Sequence, residues 1–254
     1  MFTNAIVRTP GRSIVEGLSN SITLGLPNYE QAIIQHQSYT DTLTKCGLDV
    51  LVLEPCEEYP DSTFVEDVAL ITPKCAIITR PGAPSRRGEV HEIEFVLKQR
   101  FNNIEAIEAP GTIDGGDIMM VGDHYYIGLS ERTNLEGAKQ IIQILKKYGM
   151  SGSTISLKKV LHLKTSLSYL EKNNLVVSGE FINDSYFGQY NSIEIPEKES
   201  YAANCIWVNE SVIIPLGYPT TKQRIKNAGY PVIETDVSEF EKLDGGLSCL
   251  SLRY

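Results

Sequence analysis

Apolar and polar residues recur along this 254-residue chain in one order: a helical stripe, a short strand, then a hairpin. Residues 28–47 place their stripe at 29, 32, 33, 36, 39 and 43, behind Pro27 and an Asn28 cap, and stop at Gly47. That spacing predicts an amphipathic helix. Residues 48–55 read as a strand, and 64–72 with 75–79 as a hairpin about Pro73-Lys74. A helix over 86–101, a strand over 104–109 and a hairpin of 117–121 with 125–128, turned at Gly122-Asp123, repeat the series. A third helix opens on Thr133, spaced from Glu136 as in a capping box, and ends at Gly149. A strand over 153–157 and a hairpin turned at Asn173-Asn174 follow. A short helix over 181–190, a strand over 192–195, a hairpin of 205–208 with 212–215, a helix over 220–229 and a strand over 231–235 complete the pattern. After Cys249, Leu250, Leu252 and Tyr254 alternate with Ser251 and Arg253, and this last strand lacks a hairpin partner unless it pairs with residues 5–8.

The pattern therefore repeats five times, with the two chain ends closing the last unit. A period of this kind predicts radially arranged α/β units in a single catalytic domain over 1–254. Polar residues stand just before each hairpin: Glu66-Asp67, Asp114-Gly-Gly-Asp117, His162, Asn204-Cys205 and Cys249. Steps of 47, 48, 42 and 45 residues separate positions 67, 114, 162, 204 and 249. Equivalent positions in radial units face one axis. A thiol, an imidazole and carboxylates are thus expected to converge, which is the set that nucleophilic catalysis requires.

Among the five cysteines, Cys249 follows Asp244-Gly-Gly, whose glycines can take the positive φ of a sharp turn, and such a thiol is rigid and still reachable. Cys46, Cys56 and Cys75 have no activating neighbour, and Cys205 lies in what reads as a buried strand. His36 falls on a helix stripe and is assigned to packing; His91 and His124 read as solvated. Paired Glu66 and Asp67 within an apolar stretch are costly unless a cation meets them. The odd cysteine count shows no metal-ligand spacing and suits reduced thiols in a cytoplasmic protein. No apolar run reaches the length of a membrane span, and the N-terminal residues lack that of a signal peptide. A net charge of −9 argues against nucleic acid and suits a small cationic ligand.

Cys249 near the end of the chain, His162 in Leu-His-Leu-Lys and Asp114-Gly-Gly-Asp117 together resemble the pentein, or guanidino-group-modifying, superfamily. Ser62-Thr-Phe-Val-Glu-Asp67, Arg86-Arg87-Gly-Glu89, Ser130-Glu-Arg-Thr-Asn134 and Ala202-Ala-Asn-Cys-Ile206 narrow the resemblance to bacterial-type dimethylarginine dimethylaminohydrolases, from Arg8 to the last residue. The resemblance implies a five-bladed α/β propeller with pseudo-fivefold repeat, the pentein fold. It also implies hydrolysis of Nω-methylated arginines to citrulline and a methylamine, with no metal or organic cofactor.

On that resemblance Cys249 is the nucleophile, and His162 protonates the leaving amine and then deprotonates water. Asp67 and Asp114 hold the guanidinium, Arg86 and Arg132 the α-carboxylate, Asp61 and the Leu18 backbone the α-amino group, and Glu66 supports the site. Members of the family carry either acid at the position of Asp114. The stretch 17–25 would close over the ligand, and a homodimer is one assembly open to such a protein. Arginine deiminase or amidinotransferase activity, a non-catalytic amino-acid-binding protein and an unrelated cysteine amidase are the competing readings. The short chain, without room for an added helical domain, counts against the deiminase.

Overall fold

The structure, a computed structural model, describes residues 1–20 and 22–254. Each expected repeat forms a three-stranded sheet of the same plan: a central strand with an antiparallel neighbour on one side and a parallel one on the other. The helices are α1 (Tyr29–Lys45), α2 (Val90–Lys98), α3 (Leu135–Lys147), α4 (Pro219–Asn227) and α5 (Ser238–Glu241), with several short 3₁₀ turns. The chain divides into two compact units, residues 1–65 with 166–253 and residues 66–165 with Tyr254.

Three sheets build the first unit. Asn4–Arg8 runs parallel to Asp49–Leu53 and antiparallel to Leu252–Arg253, with Ile6 opposite Leu252, so the two chain ends pair as the alternation required. Asn174–Val177 is central to the second sheet and Ser211–Pro215 to the third. Helix α1 starts where the Asn28 side chain accepts the Gln31 N–H at 2.9 Å, and Gly47 beyond its end is left-handed at φ 91°. Its Ala32, Tyr39 and Leu43 join Val7, Ile14, Phe240 and Leu250 in one apolar core. Burying each of the larger aliphatic and phenylalanine side chains among them contributes about 1.5–3 kcal/mol. His36 is buried there as expected, and burial pushes its pKa down to about 4, so it stays neutral.

The second unit holds two sheets. Ala76–Ile78 lies between Ala69–Ile71 and Ile104–Ala106, and His124–Leu129 between Ile118–Val121 and Ser151–Ser156. Helix α3 buries Ala138, Ile141 and Leu145 against Ile77, Ile113, Tyr125 and Ile127. Tyr254 closes on Phe101, ring centroids 5.2 Å apart.

Several elements depart from the expected pattern, each for a local reason. The helix expected over 181–190 is two 3₁₀ turns, Gly179–Phe181 and Ser185–Phe187. Left-handed Asn183 interrupts it, and the Asp184 side chain accepts the Tyr186 N–H at 2.8 Å in place of a helical carbonyl. The first part of the expected 86–101 helix is a 3₁₀ turn, Pro84–Glu89, ahead of α2. Glu66 and Asp67 lie on the 3₁₀ turn Val65–Val68, not in the strand. The cap of α3 is Asn134, not Thr133. Its Oδ1 accepts the Gly137 N–H at 2.8 Å and the Thr112 N–H at 3.0 Å, which leaves the Thr133 hydroxyl to accept the buried Asp114 N–H at 3.1 Å. Asn134→Ala is therefore expected to lower stability by about 1 kcal/mol, the usual worth of a cap. An unchanged urea midpoint would reassign it.

Candidate active site

The chemistry-bearing residues of the second unit collect around the turn Gly115–Asp117. Asp114, 0% exposed, starts that turn; its Oδ1 accepts the Gly82 N–H at 2.8 Å and its Oδ2 meets His162 Nε2 at 3.1 Å. The Gly116 N–H donates to Asp67 Oδ1 at 2.9 Å. A Cβ on Gly116 would stand 2.8 Å from His162 Nδ1 and 3.0 Å from Asp67 Oδ1, so the imidazole and this carboxylate need a glycine here. A Cβ on Gly115 would run into the Glu66 carbonyl. The two glycines are thus a condition for packing the site.

Charge sets the protonation states. Burial works against the His162 cation, but Asp67, Asp114 and Asp117 outweigh it and raise its pKa to about 9. Burial likewise opposes the Asp67 anion, yet His162, Arg86 and the Gly116 N–H hold that carboxyl down to about 2. At neutral pH the pair is an imidazolium beside carboxylates. Asp67, Asp114 and His162 offer one ligand atom each within 4.8 Å of one another. A metal ion fits that spacing only once the imidazole has lost its proton, because a doubly protonated ring has no lone pair to give.

Around this core the structure places the other expected residues of the unit. Arg86, expected at a ligand carboxylate, is buried with Nε and Nη2 on Glu89 (2.9 and 2.8 Å) and Nη1 on Asp67 at 2.6 Å. Arg132 reaches to 3.8 Å of Asp114 Oδ2, its side chain 20% exposed. Glu66 receives Lys164 at 2.6 Å, the cation that its burial called for.

In the first unit, Cys249 sits on the 3₁₀ turn Ser248–Leu250, 7% exposed, ahead of a strand that starts at Leu252 and not at Leu250 as the alternation suggested. Its sulfur accepts the Gly246 N–H at 3.4 Å. Gly245 and Gly246 do not adopt positive φ; the left-handed residue is Asp244, at 58°. The glycines answer to space instead, since a Cβ on Gly245 would enter the Phe64 ring and one on Gly246 would come 2.5 Å from the Asn204 amide. Three side chains then clamp the turn. The Tyr201 hydroxyl donates to the Gly245 carbonyl at 2.8 Å, the Tyr39 hydroxyl to the Leu247 carbonyl at 2.9 Å, and Asn204 Oδ1 accepts the Ser248 N–H at 2.9 Å. Tyr39 is legible in the sequence only as a position of the helix stripe and Tyr201 not at all; Asn204 is visible through the repeat spacing.

Cys205, the rival thiol, is buried in apolar surroundings that push its pKa up to about 12. Leu18 and Asp61 come together: the Leu18 N–H donates to Asp61 Oδ1 at 3.0 Å. Of the stretch expected to close over a ligand, Ser21 lies outside the described residues. Nearer its start, the Ser19 hydroxyl donates to the Lys242 carbonyl at 2.7 Å and the Asn20 N–H to Asp244 Oδ2 at 2.6 Å.

A family model described as N,N dimethylarginine dimethylhydrolase, eukaryotic, matches residues 25–251. The N(G),N(G)-dimethylarginine dimethylaminohydrolase of Pseudomonas aeruginosa is 59% identical over 256 residues, 100% of each chain. A solved structure of the Pseudomonas aeruginosa protein, a cysteine-to-serine mutant complexed with citrulline, matches with a TM-score of 0.99 at 58% identity over the whole of both chains. A dimethylarginine dimethylaminohydrolase adduct with S-methyl-L-thiocitrulline, in a histidine-to-glycine variant, matches with a TM-score of 0.98 at 58% identity, again over 100% of each chain. The fold they share with this chain is that of the pentein, guanidino-group-modifying class, the five-repeat α/β fold expected from the sequence. Within that class, the chain belongs to the dimethylarginine dimethylaminohydrolase family.

The His162 environment makes a measurable prediction. An imidazole NMR titration is expected to give a midpoint of about 9, and Asp114→Asn should bring it down. The sign follows from the raised value. Protonation stabilises the fold fully below the ordinary 6.5, and the contribution is lost as pH climbs through about 9. A wild-type midpoint at the ordinary value would remove the imidazolium from the resting protein.

Proposed function

We propose that this chain hydrolyses Nω-methylated arginines, asymmetric dimethylarginine and monomethylarginine, to citrulline and dimethylamine or methylamine, with residues 1–254 acting as one catalytic domain. The observation that carries the reading is the buried His162 imidazolium held against Asp114 and Asp67, in a chain of this family.

Each step follows from these groups. A guanidinium carbon is a weak electrophile because its charge is delocalised, so a thiolate is required as nucleophile, and Cys249 is assigned that role. Attack forms a carbon–sulfur bond. The amine cannot leave as an anion; it takes the His162 proton as the carbon–nitrogen bond breaks, and a thiouronium stays on sulfur. The imidazole, now neutral, accepts a proton from water as its oxygen bonds to the carbon. Loss of the thiolate, with the proton of the added hydroxyl passing to solvent, then yields the neutral ureido group of citrulline. Asp67 and Asp114 orient the guanidinium: each carboxylate oxygen accepts more than one donor, which leaves acceptor positions for substrate N–H groups beside Gly116, Gly82 and His162.

Asp61 and the Leu18 backbone are assigned the α-amino group, and Arg132 the α-carboxylate. Arg86 adds its charge to the carboxylate end while its fork rests on Glu89 and Asp67, and Glu66, paired with Lys164, supports the turn that carries Asp67. Glu89 joins these residues as the one that fixes Arg86.

Among the described residues no helix is long and apolar enough to cross a membrane. The five cysteines, none of them disulfide-bonded, support a reducing, cytoplasmic setting. Exposed Leu24, Leu26 and Ile34 supply apolar surface for a homodimer, which sedimentation tests.

Cys249→Ser is expected to abolish citrulline release from asymmetric dimethylarginine while substrate still binds, whereas Cys205→Ser keeps most of the activity. The reverse outcome would move the nucleophile. Run beside it, arginine separates this activity from a deiminase: release from arginine as fast as from methylarginines would favour the latter.

Arg132→Ala is expected to weaken methylarginine by roughly 1.5–3 kcal/mol, the worth of a charged hydrogen bond. Methylguanidine, which has no carboxylate, should be a poor substrate for both proteins and be little affected by the change. Equal losses in kcat/KM for the two substrates would mean that Arg132 serves the fold alone.

A further inference from the structure

One buried carboxylate of the second unit is given no contact with substrate in the reaction above. Asp117 is 0% exposed, and both of its oxygens are engaged. Oδ1 accepts the N–H of Leu163, the residue after His162, at 3.0 Å. Oδ2 accepts the Ser130 hydroxyl at 2.6 Å. The Ser130 oxygen in turn accepts two backbone donors, the Arg132 N–H at 3.0 Å and the Thr133 N–H at 3.1 Å. The Thr133 hydroxyl accepts the Asp114 N–H at 3.1 Å, and Asp114 Oδ2 meets His162 Nε2 at 3.1 Å. Followed in order, these contacts run from the His162 turn through Asp117, Ser130, Thr133 and Asp114 back to His162.

We propose that Asp117 is a positioning residue for the reaction: one oxygen sets the turn that carries His162, and the other, through Ser130, sets the turn that carries Arg132. The inference rests on the roles given above to those two residues. A turn needs a hydrogen-bond acceptor, which a neutral amide or hydroxyl supplies at far smaller desolvation cost than a buried carboxylate. The charge accounts for the choice. Charge-assisted bonds are shorter and about twice as strong as neutral ones, so both turns are held more stiffly. The same charge faces the imidazolium. The groups around His162 are the carboxylates of Asp67, Asp114 and Asp117, with Arg86 paired to Asp67 and Arg132 near Asp114. The space is fitted to the carboxylate as well: a Cβ on Gly128 would stand 3.0 Å from Asp117 Oδ1.

The test compares Asp117→Asn, Ser130→Ala and His162→Gly with the wild type, on asymmetric dimethylarginine and on methylguanidine, across pH. Asp117→Asn is expected to lower kcat by about 10²-fold, the cost of a catalytic group displaced by about an ångström. The pH at which activity is half lost on the alkaline side should move down, because one of three carboxylates facing the imidazolium is neutralised. Ser130→Ala leaves the Leu163 contact in place; KM for asymmetric dimethylarginine should rise about tenfold with kcat within about threefold, and methylguanidine should show no such rise. Wild-type kcat together with a wild-type pH profile in Asp117→Asn overturns the inference. So does a Ser130→Ala protein with wild-type KM, which decides the matter should Asp117→Asn fail to fold. Near-normal kcat in His162→Gly would instead defeat the catalytic reading on which the inference stands, whatever Asp117→Asn does.

Discussion

Charge compensation away from water is the constraint on which the second unit depends. Asp67, Asp114, Asp117 and Glu89 are all buried, and the cations that answer them are Arg86, a protonated His162 and, at 3.8 Å from Asp114, Arg132. Taking one ionised group out of water costs several kcal/mol, and removing one partner of a buried pair exposes the other to that cost. These groups therefore stand or fall as a set. The arrangement also sets a protonation state: carboxylates around His162 keep its imidazole protonated at neutral pH, the form a general acid needs.

The glycines of both motifs serve that constraint through space more than through backbone freedom. Gly116 lets the imidazole and the Asp67 carboxylate approach the turn, and Gly115 lets the Glu66 carbonyl pass. Gly246 has the same relation to Asn204, which in turn fixes the Ser248 N–H one residue before the thiol. Catalytic groups held by packed backbone lose little entropy on meeting substrate, and much of the rate available from positioning comes from that. The side chains of Tyr39, Tyr201, Asn204 and Glu89, which hydrogen-bond to the turns and to Arg86, belong to this scaffold.

Much of this architecture is legible in the order of the residues. The forty-odd-residue recurrence makes five units readable, because a helix stripe and an alternating strand are strictly periodic signals. The missing partner of the last strand points to the N-terminal one, since a hydrogen-bonding edge with one apolar face has to be satisfied somewhere. The same spacing singles out Asp67, Asp114, His162, Asn204 and Cys249. Where the pattern misleads, a local competition has two outcomes of similar energy. Thr133 and Asn134 are both good caps, and the Asp114 N–H takes the threonine hydroxyl. The 181–190 stretch has apolar residues at helical spacing but poor helix formers between them, and Asp184 turns its own backbone.

What the sequence determined by itself was periodic or compositional: the repeat, the α/β class, the pairing of the chain ends, and which residue types have the capacity for thiol, acid–base and carboxylate chemistry. What only the tertiary structure decided was which donor meets which acceptor. Nothing in Arg86-Arg87-Gly-Glu89 says that the Arg86 fork closes on Glu89 and Asp67. Nor does Asp114-Gly-Gly-Asp117 say that its first acid faces His162 and its second the Leu163 N–H. The raised affinity of His162 for its proton is a property of three carboxylates converging from separate turns. Electrostatic energy depends on distances and dielectric, and a sequence fixes neither until distant segments have packed.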